Sequence, residues 1–211
     1  MTRVNRLLEV AAAFYENGDP GHDLAHIHRV LNLCHWIGQK EKADLEILSA
    51  AAILHDVVNL PKNHPERLTA SKKAAEKSKD LLATAGFTSG EIAAITCVIE
   101  EHSYSLGKKP SSIESAVLQD SDKLDAMGAI GIMRAVTCGS RMGASFYNVQ
   151  DPFSQNRTLD DKKYTVDHFY TKLLKLSELM NTATAKAEAQ RRTQFMELFL
   201  DNLKIEMNRP E

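Results

Sequence analysis

His55 and Asp56 stand side by side at the end of the apolar run ILSAAAIL. Two ionisable groups there are costly to desolvate unless each has a partner. A metal ion is one such partner, because an imidazole nitrogen and a carboxylate oxygen on neighbouring ridges of a helix can reach one cation. A buried hydrogen-bonded pair is the plainer alternative. Two further candidates for the same cation lie elsewhere in the chain. His26, in DLAHIHRV, follows a good helix N-cap, whereas His28, two residues on, points elsewhere on the helix. Asp122 lies in VLQDSDKLDA.

The elements that must position these groups read as helices. Residues 3–16 place Val4, Leu7, Leu8, Ala11, Phe14 and Tyr15 at three- and four-residue spacing before the stop Gly18-Asp19-Pro20-Gly21. Asp23 then caps a helix through HIHRVLNLCHWIGQ, and Ala43 or Asp44 starts the strongly apolar DLEILSAAAILHDVV, expected at the core. A loop with Pro61 and Pro65 follows, then an amphipathic helix to about Ala85 with Gly86 after it, and then SGEIAAITCVIEEH. Another helix, from near Ser112, holds SAVLQDSDKLDAMGAIGIMRAV, whose small residues Ala126, Gly128, Ala129 and Gly131 permit close packing. Residues 139–163 lose the periodicity over too long a stretch for an ordinary connector, which suits a lid. Periodicity resumes in YTVDHFYTKLLKLSELM and in a long charged helix striped by Phe195, Leu198, Phe199 and Leu203. That stripe suits docking on its own bundle or on a second copy, which would make a homodimer. The fold class is therefore all-α, a helical bundle with a long lid-like loop and C-terminal helices.

With 211 residues, 43% of them apolar, the chain can bury a real core without staples. A formal net charge of −2 gives no general attraction to nucleic acid. Cys34, Cys97 and Cys138 form no C-x-x-C pair and lie among apolar neighbours, which fits reduced core thiols and a cytoplasmic location. No apolar stretch approaches the roughly 18 residues of a membrane span, and the N-terminus mixes charges with its apolar residues.

A spaced set of H, then HD, then D, each on its own expected helix, resembles the signature of the HD superfamily of metal-dependent phosphohydrolases. The segments GHDLAHIHRV, AAILHDVVNLPKNHPER, EEHSYS, LQDSDKLDAMGAIGIMR and LDDKKYTVDHFYTKLLKL extend the resemblance over nearly the whole chain, to the bacterial YedJ-like branch. It implies a single HD domain over residues 1–211, with its core at about 22–125, the irregular loop at 139–163 and C-terminal helices at 164–207. It also implies metal binding by His26, His55, Asp56 and Asp122, with the other coordination positions left to water and substrate phosphate. Mixed nitrogen and oxygen ligands suit Mn, Mg, Fe, Ni, Co or Zn without choosing among them.

Such an ion lowers the pKa of a bound water and polarises a phosphoryl oxygen, so attack on phosphorus follows. Arg29, one turn beyond His26, and Lys123, beside Asp122, are the nearest cations for charge on phosphate, with surface salt bridges as the alternative. His102 and His64 could act as general acid or base, contact phosphate or help hold a second metal; a helix C-terminus also favours a protonated histidine without catalytic duty. The catalytic candidates are thus Asp56, His102 and Lys123, and the substrate-binding ones Arg29, His64 and Lys123. The superfamily's 5'-nucleotidases place a glutamate three residues after the HD aspartate, where this chain has Asn59, which leaves the general base open. Asp160 and Asp161 read as capping and charging a helix start and His168 as a packed histidine, with closure of this segment over substrate as the alternative; Phe146, Tyr147 and Phe153 read as pinning the loop to the bundle, with stacking on a nucleobase as the alternative. The expected reaction is cleavage of a phosphoester or phosphoanhydride bond in a small phosphorylated metabolite, with nucleotides first. The alternative is a non-catalytic nucleotide or alarmone sensor, and a di-iron oxygenase would require further histidine ligands.

Overall fold

The computed structural model describes residues 2–16, 21–60 and 64–207, and every regular element among them is helical. The chain divides into two compact units, Met1–Asp122 and Lys123–Glu211. None of the helices described is long and apolar enough to cross a membrane.

In the first unit the core helix is α3, Leu45–Leu54, in which every residue from Leu48 to Leu54 is buried. A helix apolar on all sides can be stable only when surrounded. The surrounding helices are α1 (Arg3–Ala12), α2 (Leu24–Glu41), α4 (Ala70–Ala85) and α5 (Ser89–Glu101), each packed on α3. Asp44 caps α3 by accepting from the backbone N–H of Glu46 and Ile47. Thr88 and Glu91 form a full capping box on α5, and Gly86, at φ +91°, ends α4 in the left-handed conformation that favours glycine. Arg3 ties α1 to this framework, donating to Glu46 at 2.7 Å and to Glu91 at 2.9 Å.

Two elements of this unit end earlier than their periodicity predicts. Helix α1 stops at Ala12 instead of residue 16, because Phe14 and Tyr15 donate to carbonyls only three residues back. The tightened turn buries Tyr15, whose hydroxyl donates to the Ile53 carbonyl at 2.6 Å. Helix α3 likewise stops at Leu54, so that His55 is its C-cap and Asp56 lies in the turn beyond. The pair is therefore presented by a helix end and not by two ridges of a continuing helix.

Helix α6, Ile113–Asp125, carries Asp122 in its last turn. The single helix expected through residue 136 is broken after it, and α7 runs over Gly128–Arg141. Gly128 has φ +67°, which an L side chain rarely adopts, and a Cβ on Gly131 would come within 2.3 Å of the Ala126 carbonyl oxygen. The small residues thus serve the corner between α6 and α7.

In the second unit the irregular stretch begins after Arg141 and is tied down internally. Arg157 grips the buried Asp167 through two nitrogens at 2.6 and 2.7 Å, and its Nε donates to the Asp151 carbonyl. Asp151 in turn accepts from the backbone N–H of Gln155 and Asn156. Phe146 does not pin the loop as expected, being 63% exposed. Asp161 accepts from both His168 and Thr171, so this pair braces α8, Thr165–Thr171. The following residues Leu173–Leu179 form a 3-10 helix, which sets the buried Leu173 and Leu176 on one face. Helix α9, Ala183–Met207, buries Ala185, Ala189, Met196 and Leu200, whereas Phe195 and Leu198 of the expected stripe are exposed. Small alanines allow close approach that a reading weighted to large side chains overlooks. None of the three cysteines is in a disulfide; Cys34 is buried, but Cys97 is exposed and so is not the core thiol expected.

Candidate metal centre

Three helix ends and one helix turn deliver the site. Asp23, the N-cap of α2, accepts from the His26 backbone N–H at 2.8 Å and fixes the turn that carries His26. At the far end of α3 the last carbonyls find partners in sequence: Ala52 accepts from His55 Nδ1 at 2.8 Å, Ile53 from Tyr15, and Leu54 from the Val57 N–H. His102, the C-cap of α5, repeats the arrangement, with Nδ1 on the Ile99 carbonyl at 2.6 Å. A carbonyl can only accept, so Nδ1 carries the proton in both rings and Nε2 of the neutral imidazole presents a lone pair. The two rings meet edge to face, with centroids 4.9 Å apart.

The Nε2 atoms converge on Asp56. Its Oδ2 lies 3.5 Å from His55 Nε2 and 3.7 Å from His26 Nε2, and its Oδ1 lies 3.8 Å from His102 Nε2. His26 and His55 bring their Nε2 atoms within 3.3 Å of each other, and Asp122 Oδ1 lies 3.7 Å from His26 Nε2. The four residues carrying the H, HD and D pattern are thus in one place, and His102 joins them. One ligand atom from each of His26, His55 and Asp56 fits within 4.8 Å of the others, so this cluster could hold a metal ion. The donor set suits one: two neutral nitrogens and two carboxylates would balance a divalent charge, and mixed N/O sets match borderline divalent metals. The C-terminal ends of α3 and α5 add partial negative charge on the same side.

The electrostatics agree with a cation-ready site. Burial alone would raise the Asp56 carboxyl, but His55, His22, His102 and His26 outweigh it and hold it well below the usual carboxylate range. Burial likewise opposes ionisation of Asp122, and His26 and His55 overcome it, so this carboxyl too is lowered. His102 is pushed down, first by burial and then by His55, and is neutral near neutral pH.

Other sequence candidates fall out differently. Arg29, half-buried, is one turn beyond His26 on α2, and Lys123 is buried next to Asp122 on α6. His64 is not one of the histidines facing Asp56; its Nδ1 accepts from the Glu66 backbone N–H at 3.1 Å. Sequence reasoning missed His22, whose Nε2 lies 4.0 Å from Asp56 Oδ2 and whose ring packs on the edge of His26 at 5.6 Å. Its signal was the four-residue spacing to His26, masked because His22 precedes the N-cap and belongs to no helix.

Comparison with known proteins places this geometry. The model of the HD domain matches residues 23–127, which contain the four pattern residues and His102. YpgQ, an uncharacterized Bacillus subtilis protein, is 35% identical over 187 residues, covering 87% of this chain and 83% of its own. A crystal structure of YpgQ in complex with ADP superposes with a TM-score of 0.77 at 31% identity, covering 97% of this chain and 98% of that one. An HD-superfamily hydrolase from Bacillus thuringiensis gives a TM-score of 0.77 at 30% identity, covering 99% and 98% of the two chains. A predicted HD-superfamily hydrolase from an uncultured Thermotogales bacterium gives 0.66 at 26% identity, with coverage of 97% and 93%. With its pattern residues gathered at one centre and this kinship over nearly its full length, the chain belongs to the HD-domain family, alongside hydrolases of that superfamily.

Proposed function

We propose that this protein is a metal-dependent phosphohydrolase that cleaves a phosphoester or phosphoanhydride bond of a small phosphorylated metabolite, with a nucleotide as the preferred substrate. The observation that carries the reading is the convergence of His26, His55 and Asp56 on one mixed-donor cluster, with Asp122 3.7 Å from His26. A divalent ion bound there supplies a Lewis acid that activates water and polarises the phosphoryl group. The nucleotide preference is supported by the ADP bound to YpgQ.

The chain's own residues take the remaining roles. His26, His55, Asp56 and Asp122 would hold the ion, and Asp56 would also orient the attacking water. His102, kept neutral by burial, offers Nε2 as a hydrogen-bond acceptor to that water. Arg29, whose guanidinium can grip two phosphate oxygens, and Lys123 compensate the charge that develops on phosphate.

The test is phosphorus NMR of metal-stripped protein given Mn, Mg, Co, Ni or Zn in turn, with nucleotides, sugar phosphates and cyclic dinucleotides as substrates. Metal-dependent appearance of phosphate or pyrophosphate names the bond; metal and nucleotide binding without turnover removes the hydrolase reading.

A further inference from the structure

The groups around Asp56 differ in their access to solvent. The side chains of His26 and His55 are fully buried, and that of His102 is 8% exposed. By contrast, 22% of the His22 side chain and 26% of Asp122 are exposed. The cluster therefore has a closed floor of three imidazoles and an open side marked by His22 and Asp122.

The distances sort the histidines the same way. His26 and His55 approach Asp56 Oδ2 to 3.7 and 3.5 Å, whereas His22 Nε2 lies 4.0 Å from that oxygen. At that separation no direct hydrogen bond forms, and a third atom can take up the contact. The ring is nonetheless held in place. It lies edge-on to His26 at 73°, directly before the capping residue Asp23 and after the buried Gly21.

We propose that His22 binds the substrate's phosphoryl group, donating from its imidazole to a phosphate oxygen at the open side of the metal centre, and is not itself a metal ligand. The inference rests on the phosphohydrolase reading above for its substrate, and on position alone for the residue. An oriented N–H donor beside the ion adds a hydrogen bond to the anionic oxygens that the cation attracts.

Isothermal titration of His22→Ala and His22→Gln, beside His26→Ala, tests this with two probes, Mn2+ alone and inorganic phosphate added to Mn-loaded protein. The expected result is a Mn2+ affinity equal to wild type in both His22 variants, with phosphate bound about tenfold more weakly, the loss of one charge-assisted hydrogen bond. With a hydrolysed substrate, KM rises more than kcat falls. Phosphate affinity unchanged from wild type overturns the proposal, as does a loss of Mn2+ affinity matching that of His26→Ala, which would make His22 a ligand. Phosphate binding that depends on His22 in a protein that turns over no phosphate compound supports the inference and defeats the hydrolase reading, so the two fail separately.

Discussion

His26 Nε2 and His55 Nε2 face each other across 3.3 Å, and the His55 ring has already committed its Nδ1 proton to the Ala52 carbonyl. Two imidazole nitrogens held so close by separate helices are compatible only if a proton or a cation lies between them and Asp56. The His26 Nε2 proton can fill that gap in the metal-free protein, and a cation can take its place in the arrangement built by the ends of α2 and α3.

Metal should therefore stabilise the fold. Mn2+ at one hundred times its dissociation constant is expected to add about 2.7 kcal/mol to wild-type stability, seen as a rise in Tm. His55→Ala and Asp56→Ala should show no such rise, because each removes a ligand. Metal binding should also weaken on acidification, because protons compete with the metal for the ligand atoms. Melts with and without Mn2+ across pH 5–8, or about that span, check both statements.

The Glu91 carboxyl is held down from 4.5 to about 2, chiefly by the Arg3 guanidinium and then by the Thr88 backbone N–H and hydroxyl. A depressed carboxyl contributes stability above its unfolded pKa and loses it as pH falls through the folded value. Glu91→Gln should consequently lower Tm at neutral pH, with the gap from wild type closing between pH 4.5 and about 2. A constant gap across that window would show that Glu91 acts only as a cap.

Two glycines should respond oppositely to alanine. A Cβ on Gly131 would strike the Ala126 carbonyl oxygen at 2.3 Å, so Gly131→Ala is expected to cost about 1–3 kcal/mol. Gly90, in the first turn of α5, has nothing within 4 Å, and Gly90→Ala should stabilise by about 0.4–1 kcal/mol. Urea unfolding of the two variants reads both effects.

Arg157 braces the irregular stretch between α7 and α8 through the fully buried Asp167. Removing the guanidinium leaves that carboxylate unpaired in the interior. Arg157→Ala should speed amide exchange and proteolytic cleavage within residues 142–164, and Arg157→Lys should restore little, because an ammonium cannot make the two-nitrogen grip.

Much of this was legible in the residues themselves. Asp23, Asp44 and Gly86 announced the helix limits they set, because capping is local chemistry that side-chain type decides. The ligand candidates were legible because two charges ending an apolar run demand a partner. What escaped depends on tertiary contacts. Helix α3 stops before His55 because Tyr15, from the turn after α1, satisfies Ile53. His22 joins the centre from outside any helix, so periodicity could not place it. The face that α9 buries runs through Ala185 and Ala189, whose value lies in close approach and not in apolar size. Residues 139–163 read as a lid because they lack periodicity, whereas the Arg157–Asp167 grip gives much of that stretch order without helix.

The most direct test of the central claim is a titration of metal-stripped protein with Mn2+, in which bound metal and phosphate or pyrophosphate release from a nucleotide are measured in the same samples, for wild type and Asp56→Ala. The account predicts that release rises in step with occupancy of the His26, His55, Asp56 and Asp122 centre and that the variant neither binds the ion tightly nor turns over. Release from the metal-free protein, or undiminished release by Asp56→Ala, would contradict it.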